Sequence, residues 1–235
     1  MDQKDHWAWT LFANGSLSKH QLKIHFQQEY GVYVRDFPVF LARIHGQNPP
    51  MDVRRMLAQN IFEEDTGQLS LGTAHPELFL NMMTGLGFRN GNFEEIALLP
   101  ASRRYRAWLD RISVNPLWTL GAAVLTIFVE GSLHDRTELA KPTKRRTPRE
   151  VEAYISSHPL VRYHGLSPAH MDLSRAHQLV ENSHRHDAYD MVINYTTDRN
   201  LQNTVLATVK KTLDLWLQYR DGIARACGLQ PQTSS

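Results

Sequence analysis

The stretch Ser167-Pro-Ala-His-Met-Asp-Leu-Ser-Arg-Ala-His177-Gln-Leu-Val-Glu181-Asn-Ser-His184-Arg-His186 carries a helix start and a set of metal donors together. Ser167 before Pro168 pairs a good N-cap with proline at the first helical position, where its missing N–H removes no helical hydrogen bond. No breaker follows until about residue 195, so the pattern predicts a helix over 168–195. A helix turns about 100° per residue, which places side chains four and seven positions apart on one face. His177, Glu181 and His184 therefore share a stripe. Two imidazoles and a carboxylate are a good ligand set for iron, manganese or zinc. The competing reading is a polar surface face in a histidine-rich stretch, since the chain has 12 histidines.

Outward from this helix, the punctuation stays helical. Ser18-Lys-His-Gln21 reads as a capping box opening a helix that runs to about Gly46. Asn115-Pro116 and Thr147-Pro148-Arg-Glu150 are further starts, and so is His75-Pro76-Glu77. Glycines at 85, 87 and 131 suit helix ends. Strand-like alternation is nearly absent and no internal repeat is visible. The predicted helices are 18–45, 51–65, 76–86, 92–112, 116–131, 148–158, 168–195 and 199–226, with a short one over 5–14. This is an all-α bundle of seven to eight main helices, a single domain over 1–230 with a flexible tail at 231–235. Facing helices of such a bundle can surround an interior site.

Composition narrows the class. At 42% hydrophobic and 21% charged residues, the chain has the balance of a soluble globular protein. A formal net charge of +2 is too small to imply a nucleic-acid partner. No apolar run reaches about 18 residues, so no membrane span is expected. The first residues lack a signal-type apolar region, and the lone Cys227 has no internal disulfide partner. A cytoplasmic location follows as the expectation. The basic run Lys141 to Arg149 reads as a solvated loop.

Two more donor groups stand out. Glu64 lies near the end of one predicted helix and His75 opens the next. On a continuous helix they would be about 16 Å apart, but Thr66-Gly67 and Leu71-Gly72 break it, so a returning loop could join them. The alternative makes Glu63, Glu64 and Asp65 solvated acids and His75 an N-cap. Glu130 ends the apolar run Ala-Val-Leu-Thr-Ile-Phe-Val, where a buried carboxylate must be paired, protonated or metal-bound. Otherwise it emerges into water near Gly131. Together these are three histidines and three carboxylates, enough for two metal ions. The absence of thiolate donors favours iron or manganese over structural zinc. Ile127, Phe128 and Val129 suggest an apolar wall beside Glu130, and Asp172, His170 and Asp187 are candidate outer partners for the imidazoles.

Several segments carry a resemblance to a known family: Gly15 to Leu22, Gln28 to Pro38, Asn60 to Glu64, His75 to Leu78, Glu130, Tyr163 to Ser167 and the His177 to His184 stripe. They resemble the heme-oxygenase-like di-iron oxidases, relatives of the TenA and PqqC proteins, and most of all the CADD-type proteins that support p-aminobenzoate synthesis. The resemblance implies a heme-oxygenase-like bundle. It implies Glu64, His75, Glu130, His177, Glu181 and His184 as ligands of two iron ions, or of one iron and one manganese. It also implies a homodimer, and a dioxygen-dependent oxidation of a small organic substrate. N-oxygenation, oxidative carbon–carbon cleavage, decarboxylation and p-aminobenzoate formation are the outcomes it associates with this site. Two positions depart from the pattern. Glu181 stands where aspartate is usual, and Trp9 stands where CADD-type proteins carry a tyrosine, leaving Tyr30 and Tyr33 as catalytic candidates nearby. Rival expectations are a metal-free TenA- or PqqC-like enzyme and a non-catalytic helical interaction protein. A heme oxygenase would need an early histidine such as His6, His20 or His25.

Overall fold

Ser18 caps the first long helix as its sequence predicts: its Oγ accepts the Gln21 N–H at 3.3 Å, and Gln21 Oε1 accepts the Ser18 N–H at 2.8 Å. The computed structural model describes residues 2–131, 133, 135, 139–140 and 146–231, without the side chains of residues 2 and 180–184. In chain order its helices are α1 Trp9–Ala13, α2 Lys19–Glu29, α3 Phe37–His45, α4 Met51–Thr66, α5 His75–Gly85, α6 Pro100–Ser113, α7 Trp118–Ala122, α8 Pro148–Ser157, α9 Pro159–His164, α10 Asp172–Ile193 and α11 Arg199–Ala226. Two π-helical segments, Tyr30–Val34 and Ala123–Val129, continue α2 and α7. Short 3-10 turns cover Asp2–Lys4, Asn90–Phe93 and Pro168–His170. No strand occurs among the described residues.

The all-α expectation is met; the described residues hold eleven α-helices where seven to eight were expected. The excess has local causes. The single helix expected over 18–45 widens into a π turn and restarts at Phe37. Pro38 in the first turn of α3 has no N–H to continue the earlier helix. Pro159 likewise opens α9 immediately after α8. The helix expected from 92 starts only at Pro100, and the one expected from 168 begins with a 3-10 turn before α10. Residues 141–145 of the basic run and 232–235 of the expected tail lie outside the described residues. Among the described residues, no helix is long and apolar enough to cross a membrane.

The interior is made of helical faces. Ala101, Tyr105, Trp108, Leu109 and Ile112 recur at helical spacing along α6 and are buried. They meet α11, which buries Val205, Thr212, Trp216, Tyr219 and Ile223 at the same period. Trp108 donates its indole N–H to Thr212 Oγ1 at 2.9 Å, so this ring buries no unpaired donor. Each such large apolar side chain contributes about 1.5–3 kcal/mol on burial. A second cluster joins α2, α5, α8 and α9 through Leu22, Phe26, Phe79, Met83, Ile155 and Leu160. Between the two clusters lies a cavity of about 320 Å³, walled by Phe37 of the first and Leu173 of the second.

Candidate metal centre

One face of α4 buries Val53, Leu57, Asn60 and Glu63, and Glu64 sits beside it. The helix ends at Gly67 in the left-handed conformation, φ 62°. The following loop folds around the Glu63 carboxylate: the Leu69 N–H donates to Oε2 at 2.7 Å and the Ser70 hydroxyl donates to Oε1. The Gly72 N–H closes the turn on Gly67 O at 2.7 Å. The chain returns at Ala74, the N-cap of α5, so His75 is the first helical residue. Its Nδ1 lies 2.9 Å from Glu64 Oε1, and its Nε2 lies 3.2 Å from Glu63 Oε1. The loop thus removes the separation a straight helix would impose.

Gly67 is essential to this return. A Cβ there would lie 2.2 Å from Thr73 O, in a backbone conformation that side chains resist. Gly67→Ala is expected to cost at least about 1–2 kcal/mol from that conformation alone, lowering the calorimetric Tm. An unchanged Tm would show that the turn relaxes freely.

His177, on α10, completes a cluster. Its ring centroid is 5.1 Å from that of His75, edge to face. One donor atom each from Glu64, His75 and His177 falls within 4.8 Å of the others, the one such grouping among the described residues. Burial by itself would lower the His75 pKa, but the Glu64 and Glu63 carboxylates outweigh it and raise the value above that of an ordinary histidine. The site therefore favours positive charge between these acids. His75 Nδ1 and Glu64 Oε1 are 2.9 Å apart, and both residues line the cavity. A cation could take the place of the imidazole proton between these two groups, since a metal needs the neutral imidazole as its ligand.

The alternative that made Glu63 a solvated acid does not hold, because Glu63 is fully buried. Burial pushes its pKa up, yet Ser70, Leu69 and His75 together hold it below the ordinary value, so it faces the imidazole as a carboxylate. Such an outer carboxylate fixes the tautomer and ring angle of a ligating histidine. Glu63→Gln is expected to weaken ferrous or manganous binding about 10–100-fold, read by competition with a chelating dye. Unchanged affinity would remove Glu63 from the site. Its burial follows from the α4 spacing, because Glu63 continues the series of Val53, Leu57 and Asn60.

Glu130 lines the same cavity and its Oε1 accepts from Asn60 Nδ2 at 3.0 Å. It is not part of the three-residue grouping. The side chains of Glu181 and His184 lie outside the described residues. The α10 backbone runs through both positions, about 6 and 10 Å beyond His177 along the axis. Of the suggested outer partners, Asp172 pairs with Arg175 at 2.9 Å. Ile127 and Val129 line the cavity, while Phe128 turns away into the core. Tyr33 is on the cavity wall; Tyr30 is not, stacking instead on Phe79 with centroids 5.3 Å apart. Both π segments deliver cavity residues: Tyr33 and Val34 from one, Thr126, Ile127 and Val129 from the other. Single-turn π bulges often mark functional sites.

A model of the iron-containing redox enzyme family matches residues 24–217. Among characterised proteins, the 4-aminobenzoate synthase of Chlamydia pneumoniae is 26% identical over 84 residues, covering 31% of this chain and 37% of that protein. The 4-aminobenzoate synthase of Chlamydia trachomatis serovar D is 25% identical over 83 residues, covering 35% of this chain and 34% of that protein. The chain thus matches only about a third of the length of these relatives. In structure, a TenA homolog from Pseudomonas syringae superposes with a TM-score of 0.68 at 14% identity, covering 95% of this chain and 87% of that one. A domain of unknown function with a heme oxygenase-like fold from Shewanella denitrificans gives 0.65 at 14% identity, covering 96% and 89%. The bundle therefore has the heme oxygenase-like fold. With a match running over most of its 235 residues, the chain belongs to the family of iron-containing redox enzymes.

Proposed function

We propose that this protein is a non-heme di-iron oxidase or oxygenase that uses dioxygen to oxidise a small organic substrate. The observation that carries the reading is the convergence of Glu64, His75 and His177 on a cavity that also holds Glu130. Glu64, His75 and His177 would hold one metal ion. Glu130, with Glu181 and His184 further along α10, would serve a second, with manganese as an alternative occupant of either position. When bound, iron in an imidazole and carboxylate environment supplies the redox chemistry that activates dioxygen.

The chain's own residues set the conditions for that chemistry. Glu63 orients His75, and Asn60 orients Glu130. Val34, Phe37, Ile127, Val129 and Leu173 exclude water and pack against the apolar part of a substrate. Arg185, Asp135 and Tyr189 give the same cavity a polar side, where Tyr189 donates to Asp135 Oδ2 at 3.2 Å. A volume of about 320 Å³ is at the small end of ligand sites, which suits a single-ring or short-chain molecule.

The metal-free thiol chemistry of some superfamily members finds little support. Cys227 is buried in the core, is absent from the cavity lining, and has its pKa pushed up to about 11 by burial. The p-aminobenzoate outcome rests on relatives matched over a third of their length and remains one product class among several.

The test is dioxygen uptake by protein loaded with ferrous iron under anaerobic conditions. The proposal predicts rapid consumption by the wild type, and loss of it in a Glu130→Ala variant. Uptake no faster than that of free ferrous iron in the same buffer would refute it. Full activity after exhaustive chelation would favour the metal-free reading.

A further inference from the structure

The C-terminal end of the Ala123–Val129 segment poses a problem that the sequence does not show. Helix ends leave carbonyls without intrahelical partners, and this end lies beside Glu130 on the cavity. Lys4 supplies the partners from the far end of the chain. Its Nζ donates to Phe128 O at 2.6 Å, to Gly131 O at 2.9 Å and to Val129 O at 3.3 Å. The ammonium also lies 4.9 Å from the centroid of the Phe128 ring and 5.7 Å from that of Trp216.

We propose that Lys4 is a positioning residue for Glu130: it clamps the carbonyls on both sides of this residue, so that the carboxylate is fixed by its main chain as well as by Asn60. The inference rests on the di-iron reading for what Glu130 does, but the clamp is defined by the polypeptide alone. Burial, with Arg220 nearby, pushes the Lys4 pKa down to about 7, so loss of water opposes the charge while the three carbonyls hold the amine in place. The three acceptors bracket Glu130 rather than spreading along the helix, so their loss would free the segment that aims its side chain.

The experiment compares the wild type with Lys4→Met and Lys4→Arg. Methionine keeps an apolar stem against Phe128 and Trp216 but donates nothing; arginine keeps the charge and donors. In metal-free protein, amide hydrogen exchange of the peptide covering 124–131 should rise at least tenfold in Lys4→Met and return toward wild type in Lys4→Arg. In a manganous titration followed by paramagnetic resonance, Lys4→Met should weaken the second ion at least tenfold. The first ion, at Glu64, His75 and His177, should stay within about threefold, and the coupled two-ion signal should give way to the six-line signal of an isolated ion. Lys4→Arg should restore the coupled signal. Unchanged exchange in Lys4→Met would overturn the proposal. So would equal weakening of both ions with no rescue by arginine, which marks a general loss of stability. If the wild type bound one ion only, the di-iron reading would fail, and the exchange comparison would still decide whether Lys4 holds the Glu130 segment.

Discussion

Arg220→Met is expected to lose about 3–5 kcal/mol of folding stability, because it leaves a buried carboxylate without its permanently charged partner. Arg220 Nη1 lies 2.8 Å from Glu29 Oε1, with the two side chains only 8% and 14% exposed. Tyr33 donates its hydroxyl to the same oxygen at 2.9 Å, and His25 Nε2 lies 3.4 Å from the other. The guanidinium also stacks on Trp9, Trp216 and Tyr219 at 4.6, 5.0 and 5.0 Å. Burial alone would raise the Glu29 pKa, but the charges of His25 and Arg220 hold it far below the carboxylate range. A depressed folded-state pKa stabilises above the unfolded value of about 4.3, and that contribution is lost as pH falls from there toward the lowered value. Urea unfolding at neutral pH measures the effect. The Glu29→Leu, Arg220→Met double variant should recover much of the loss, since replacing the whole pair leaves no buried charge unpaired. A single-variant loss below about 1 kcal/mol would place the pair among weak surface bridges. Tyr33 belongs to both this network and the cavity wall, so the single variant should also loosen the site.

His177→Ala is expected to weaken metal binding by more than about 100-fold, beyond the range of an outer partner, while the protein stays folded. His177 is half-buried. Its loss removes one ring contact with His75, worth about 0.5–1.5 kcal/mol. The affinity loss is larger because Glu64 and His75 alone offer two ligands at the end of a short turn. Manganous titration with circular dichroism on the same samples separates metal loss from unfolding. Retention of wild-type affinity would remove α10 from the metal site.

Much of the fold was legible because caps and prolines act locally. The Ser18 and Thr147 capping boxes form as their sequences specify. The π segments were not legible: their widening depends on packing, and Tyr30–Val34 and Ala123–Val129 read locally as ordinary apolar helix. The partial legibility of the site has the same origin. Glu64 and His75 could be paired only by allowing a return at Gly67. The role of Glu63 was not legible, because its partners Leu69 and Ser70 lie in a loop whose path the local sequence does not specify. Lys4 and Arg220 act across more than a hundred residues, on partners no local window contains.

The most direct measurement of the central claim is the number of ferrous ions bound per chain in an anaerobic equilibrium titration of the wild type. The account predicts two ions, with the second lost when Glu130 is replaced by alanine. Binding of one ion or none, under conditions that load other iron-containing members of the family, would contradict it.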